Sequence, residues 1–173
     1  DSPDVPGVTL VERADHLVTK VHVICDTRDP EQRLNELRQT LKDMIAQASR
    51  TGSISLSTGD EVLYEFNEGK IDKEISAGSR PDTSEAYIVV RTELSKTDTF
   101  DGASQRIRDF VKHTPKAGRS EILTAAAFNL GLVKPERYRP ELVSAIAEDS
   151  KHTAALFGAS YQVRVEGLQR AIQ

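Results

Sequence analysis

The chain has no tryptophan, one cysteine and one methionine in 173 residues, and aromatic residues make up only 5% of it. So few rings leave little material for an aromatic stacking platform. A lone Cys25 excludes an intramolecular disulfide and any multi-cysteine zinc site. No apolar run approaches the roughly 18 residues that a membrane-spanning helix requires. No basic block is present either: the 23 lysines and arginines are spread along the chain and the formal net charge is −4. Nucleic-acid binding leaves a clustered positive footprint, so no nucleic-acid partner is expected.

The familiar catalytic signatures are missing as well. There is no Walker A motif, no GxGxxG and no GxSxG, which removes the usual warrants for phosphate cradling, dinucleotide binding and hydrolase-type acyl transfer. His16, His22 and His113 lie far apart and show no metal-ligand spacing. His152 with Glu148 lacks the second histidine of HExxH. No catalytic residue, no cofactor and no metal ligand is expected on these grounds.

What is present suits an ordinary folded domain. Hydrophobic residues form 38% and charged residues 29% of the chain. This length fits one domain or two small subdomains, and buries on the order of 70% of the surface the unfolded chain exposes. Residues 1–7, DSPDVPG, read as a loose arm. A chain that starts so, without Met, matches a mature protein whose signal peptide has been removed, or an expression fragment.

Residues 8–27 supply two strand-like runs. In the second, Val21, Val23 and Cys25 alternate with His22, Ile24 and Asp26, which predicts a strand buried on at least one face. The bland reading of Cys25 is a buried thiol; an intermolecular disulfide and a reactive nucleophile are the others. Asp29, Pro30 and Gln32 then read as N-cap, first helical residue and capping-box partner. Leu34, Leu37, Leu41, Met44, Ile45 and Ala48 recur at helical spacing, leaving Arg33, Glu36, Lys42 and Asp43 to water, and Gly52 stops the helix.

Residues 53–66 read as a hairpin turning at Thr58-Gly59-Asp60. Residues 67–84 have little regular period and read as a mobile loop, or a join between subdomains 8–66 and 85–173. Residues 86–95 predict a strand, and Asp98 or Thr99 caps a helix with apolar positions Ala103, Ile107, Phe110 and Val111, ended by Pro115 and Gly118. Residues 121–132 read as one long strand whose alanines let another element approach. Pro135 and Pro140 predict a short turn and then a helix from about 140, with Arg137, Tyr138 and Arg139 on an exposed corner. A closing strand is expected over 161–172. Strands alternating with helices favour a two-layer α/β (α+β) sandwich with about three helices, and the tight hairpin excludes a wholly parallel sheet. VICDTRDPEQR and VRTELSKTDTFDG, each a strand running into an Asp-capped helix, resemble a diverged β-α-β repeat.

The densest run of reactive groups is EDSKHT, residues 148–153. On a helix Glu148 and Asp149 are neighbours of His152. Ser150, however, points roughly 160° away from His152, so the two cannot form a local nucleophile–base dyad. A solvated helix face is the expectation. A site assembled from distant residues would draw on Arg80, Glu85, Arg91 and Glu93.

The run RYRPELVSAIAEDSKHTAALFG resembles the ending of SIMPL-domain (DUF541) proteins, whose closing helix repeats alanines at short spacing before a Gly and a last strand. Ala145, Asp149, Lys151, Ala154, Ala155, Leu156 and Gly158 are the matching residue types, while Ser150 stands where an alanine is common. The resemblance implies a bacterial protein exported to the periplasm or cell surface, without enzymatic activity, acting by homo-oligomer formation or through an envelope partner. The alternative is a small-molecule module closed by the 67–84 loop. The family supplies no catalytic motif to carry over.

Overall fold

The computed structural model describes residues 8–60, 62–132 and 135–158, with 162, 164, 165 and 168. The chain divides into two compact units, Ala14–Gly131 and a second made of Asp1–Arg13 with Leu132–Gln173.

The Ala14–Gly131 unit is an α+β layer structure. Strand β1 (His16–Cys25) leads into helix α1 (Pro30–Thr51), followed by β2 (Ile54–Thr58) and the short β3 (Tyr64–Glu65). A 3₁₀ turn, α2 (Ile71–Glu74) and β4 (Ser76–Ala77) precede β5 (Ser84–Glu93), α3 (Phe100–His113), β6 (Ser120–Thr124) and β7 (Asn129–Gly131). The order across the sheet is β3-β2-β5-β1-β6, with β4 beside β5 and β7 beside β1, and every pair is antiparallel. Each of the two β-α-β passes therefore has a strand of the other between its own strands: β5 separates β1 from β2, and β1 separates β5 from β6. This is the split β-α-β arrangement. The stretches 8–66 and 85–131 interleave in one sheet.

Alternation along the strands sends one face inward. Leu17, Val21, Val23 and Cys25 of β1 meet Ala86, Ile88 and Val90 of β5 under α1 and α3. From α1 come Leu37, Leu41, Met44 and Ala48; from α3 come Ala103, Ile107, Phe110 and Val111. Local signals end these helices as expected. Asp29 accepts from the Gln32 N–H, Gly52 adopts φ 69° and donates to Ala48, and Thr99, rather than Asp98, caps α3 through the Gly102 N–H.

Several expectations are corrected. Only one strand, not two, lies within 8–27. Gln32 does not close a capping box, because its amide donates to Glu36 instead. The hairpin at 54–65 spans a five-residue loop, and Val62 and Tyr64 point into solvent. Residues 67–84 are built into the scaffold: α2 and β4 lie there, and Ile71 is buried in the core. The long strand over 121–132 is broken, since β6 and β7 both pair with β1 but in registers two residues apart, the signature of a bulge. Exposed Ala125, Ala126 and Ala127 occupy the break.

In the second unit a 3₁₀ turn (Pro135–Tyr138) runs into α4 (Arg139–Phe157), as the two prolines predict. Tyr138 and Arg139 are half-buried rather than fully exposed. The closing strand expected over 161–172 lies outside the described residues, apart from four isolated positions.

Candidate functional site

Two polar constellations in the Ala14–Gly131 unit hold chemistry-bearing side chains. The first sits where β1 ends and α1 begins. Glu36 lies on the first turns of α1, a helical position that the apolar period assigns to water. It is instead half-buried and fully engaged. The Thr27 hydroxyl donates to Oε2 at 2.5 Å, the Arg119 backbone N–H at 3.0 Å and the Cys25 thiol at 3.4 Å, while the Gln32 amide donates to Oε1 at 2.8 Å. One turn later, Thr40 Oγ1 accepts the Ala117 N–H at 3.0 Å. Arg119 then grips Asp26 with two bonds of 2.7 and 2.9 Å, a bidentate fork. Arg33, also expected in water, donates to Ser84 Oγ and to the Thr27 carbonyl.

The hydrogen bond from Thr27, with that from the Arg119 N–H next, holds the Glu36 carboxyl down to about 2. Such a carboxylate is a poor base for any thiol or hydroxyl beside it. Cys25 itself is buried completely, closed off from any substrate. The constellation clamps the loop 117–119 onto α1. Gly118 shows how tight the clamp is: it sits at φ +54°, and a Cβ there would lie 2.0 Å from the Glu36 carboxyl carbon. Outside it, a shallow depression of about 440 Å³ is lined by Asp29, Glu31 and Glu36 with the carboxamides of Gln32, Asn35 and Gln39. A small-molecule site is typically lined by hydrophobic and aromatic side chains, whereas here Ala117 is the one apolar residue among the lining side chains.

The second constellation is on the sheet face away from α1 and α3. Register places Glu85, Arg91 and Glu93 on this face of β5, so three of the four distant residues named from the sequence do share a surface. His22 Nε2 bonds Glu85 Oε2 at 2.9 Å, and its ring stacks on Tyr87 at 4.6 Å with the planes 6° apart. Lys20, two residues along β1, pairs with Asp60 of the hairpin loop at 2.7 Å, and Arg91 donates to Ser55 at 3.0 Å. Sequence reasoning missed the His22–Glu85–Tyr87 group because its members are 63 residues apart. The signal that could have found it is the alternation of β1 and β5, once the two are paired. A carboxylate-oriented imidazole can act as a base, yet among the described residues no hydroxyl or thiol is hydrogen-bonded to His22. Chemically the group is a stacked, hydrogen-bonded surface.

Among the described residues, no cluster of histidine, cysteine and carboxylate side chains could hold a metal ion, and no helix is long and apolar enough to cross a membrane. His16 sits at the start of β1 and His113 on α3, where its ring meets the Asp109 carbonyl. The EDSKHT run lies within α4. Ser150 donates back to the Ile146 carbonyl at 2.8 Å, and Glu148, Asp149, Lys151 and His152 are exposed, a solvated helix face as expected. Of the apolar residues of α4, Leu142, Val143, Ala145, Ile146 and Ala154 are half-buried, and Leu156 and Phe157 are exposed. The chain matches no family model, no curated protein and no solved structure.

Proposed function

We propose that this is a non-enzymatic exported protein of the bacterial envelope, of SIMPL-domain type, that works by assembling with itself or with an envelope partner. The observation that carries the assembly reading is α4. Nineteen residues long, it fully buries none of its residues: Leu142, Val143 and Ile146 are half-buried, and Leu156 is 74% exposed. Helices in water derive most of their stability from a packed apolar face. Exposed apolar surface of this kind marks an interaction site. Envelope placement rests on the sequence resemblance carried by the same helix.

Light scattering of the purified chain across concentration tests the assembly reading. A discrete oligomer is expected, and a strict monomer at high concentration overturns self-assembly. Cell fractionation, with N-terminal sequencing of the recovered protein, tests export: a processed chain outside the cytoplasm is expected, and an unprocessed cytoplasmic one refutes it.

A further inference from the structure

The two edges of the sheet are unequal. At one end β3 contributes two residues, Tyr64 and Glu65, too short to template another strand. At the other end β6 runs for five, Ser120–Thr124, and among the described residues pairs only with β1. The Ala125 N–H donates to the Lys20 carbonyl at 3.1 Å. Backbone groups alternate sides along a strand, so residues 121, 123 and 125 face β1, while the backbone of Ile122 and Thr124 faces outward. No hydrogen bond reaches those outward amides among the described residues. Natural edge strands carry lysine, proline, bulges or inward charges that discourage pairing. Within β6 the only charge is Glu121, and Leu123 is 48% exposed on the open face; the bulge comes after the strand.

We infer that β6 is a self-pairing edge, taking β6 of a second copy of this chain in antiparallel register about a two-fold axis at Leu123. This rests on the self-assembly reading above and assigns it a surface. Backbone parity and charge select the register. Only registers that set outward-facing residues opposite one another form hydrogen bonds, and Ser120, Ile122 and Thr124 are those residues. Placing Ser120 opposite Ile122 of the partner stacks Glu121 directly on its copy, which like charge opposes. Centring on Ile122 leaves the two glutamates diagonal neighbours. Placing Ile122 opposite Thr124 sets Leu123 against its copy in a close, non-hydrogen-bonded pair, with Glu121 over Ala125. The small side chain of Ala125 leaves room for Glu121, and the two glutamates end roughly 14 Å apart along the strands, by strand rise. Each copy then donates its Ile122 and Thr124 amides to the other, and the sheet continues across the axis with all helices on one face.

Oxidative cross-linking tests this in the full chain. Directly opposed, non-hydrogen-bonded positions lie about 4.5 Å apart at Cα, within disulfide reach. Leu123→Cys is expected to form a covalent dimer under mild oxidation, while Glu121→Cys and the native chain, whose Cys25 is fully buried, form none. Leu123→Lys, which sets like charges opposite one another across the proposed axis at a half-exposed position, is expected to lower the solution mass measured by light scattering. An oligomer whose mass survives Leu123→Lys and which Leu123→Cys does not cross-link overturns the β6 assignment and leaves the self-assembly reading standing. A native chain that is monomeric at every concentration overturns both.

Discussion

Helices α1 and α4 are of similar length, 22 and 19 residues, and each has a proline in its first turn. α1 adds an Asp29 side-chain cap and a left-handed Gly52 stop, and its large apolar residues fall on one stripe that the sheet covers. α4 begins at Tyr138 with no side-chain cap, and its alanines widen the apolar surface round the helix. One helix is part of a core; the other buries none of its apolar groups fully and leaves Leu156 exposed. Helical period reports that a segment is helical and which residues share a face. Whether that face has a cover depends on residues far away in the chain.

Truncation should separate the two helices most strongly. Leu41 of α1 is fully buried, and Leu41→Ala is expected to cost about 2–5 kcal/mol. Leu156→Ala in α4, at a position 74% exposed, is expected to change stability by no more than about 0.5 kcal/mol, as surface substitutions do. Urea unfolding of both variants checks the contrast, and a large loss at Leu156 would mean that this end of α4 is covered after all. Gly118→Ala comes next, at about 1–3 kcal/mol, since it forces a strained backbone angle and drives a methyl group into the Glu36 carboxylate; the urea midpoint reads it. Glu36→Gln keeps the outline of the clamp but loses the ionised acceptor that Thr27 and the Arg119 N–H bind, so it is expected to lower stability at neutral pH. Its signature lies in acid. The folded pKa of Glu36 is about 2 against an ordinary 4.5, so the stabilisation is complete above pH 4.5 and is lost as pH falls through 2. Unfolding curves between pH 5 and 2 should converge for the native chain and Glu36→Gln, and curves that stay parallel would refute the clamp.

Local signals made much of the fold legible. Asp29 and Thr99 capping, Gly52, the stripes of α1 and α3 and the alternation of β1 and β5 are all written in a few neighbouring residues. Features that needed distant partners were not. Glu36 has the spacing of a solvent-facing residue, and only the return of loop 117–119 draws it in. Residues 67–84 lack period because α2 and β4 are too short to show one, yet Ile71 anchors them in the core. The bulge between β6 and β7 follows from their pairing with β1, which spacing along 121–132 does not reveal. His22 and Glu85 meet only because β5 lies beside β1.

The split arrangement of β1 and β5 also sets a timetable for synthesis. His16 and Glu93 are partners at one end of the central ladder, and the ribosome adds about 5–20 residues per second. The first strand therefore waits on the order of 4–15 s for its neighbour, with α1 complete long before the sheet it covers. Until β5 emerges, Val21, Val23 and Cys25 have α1 to meet but no central strand beside them. The nascent chain is most exposed to misassociation in that interval, and a pause in translation before residue 84 would prolong it.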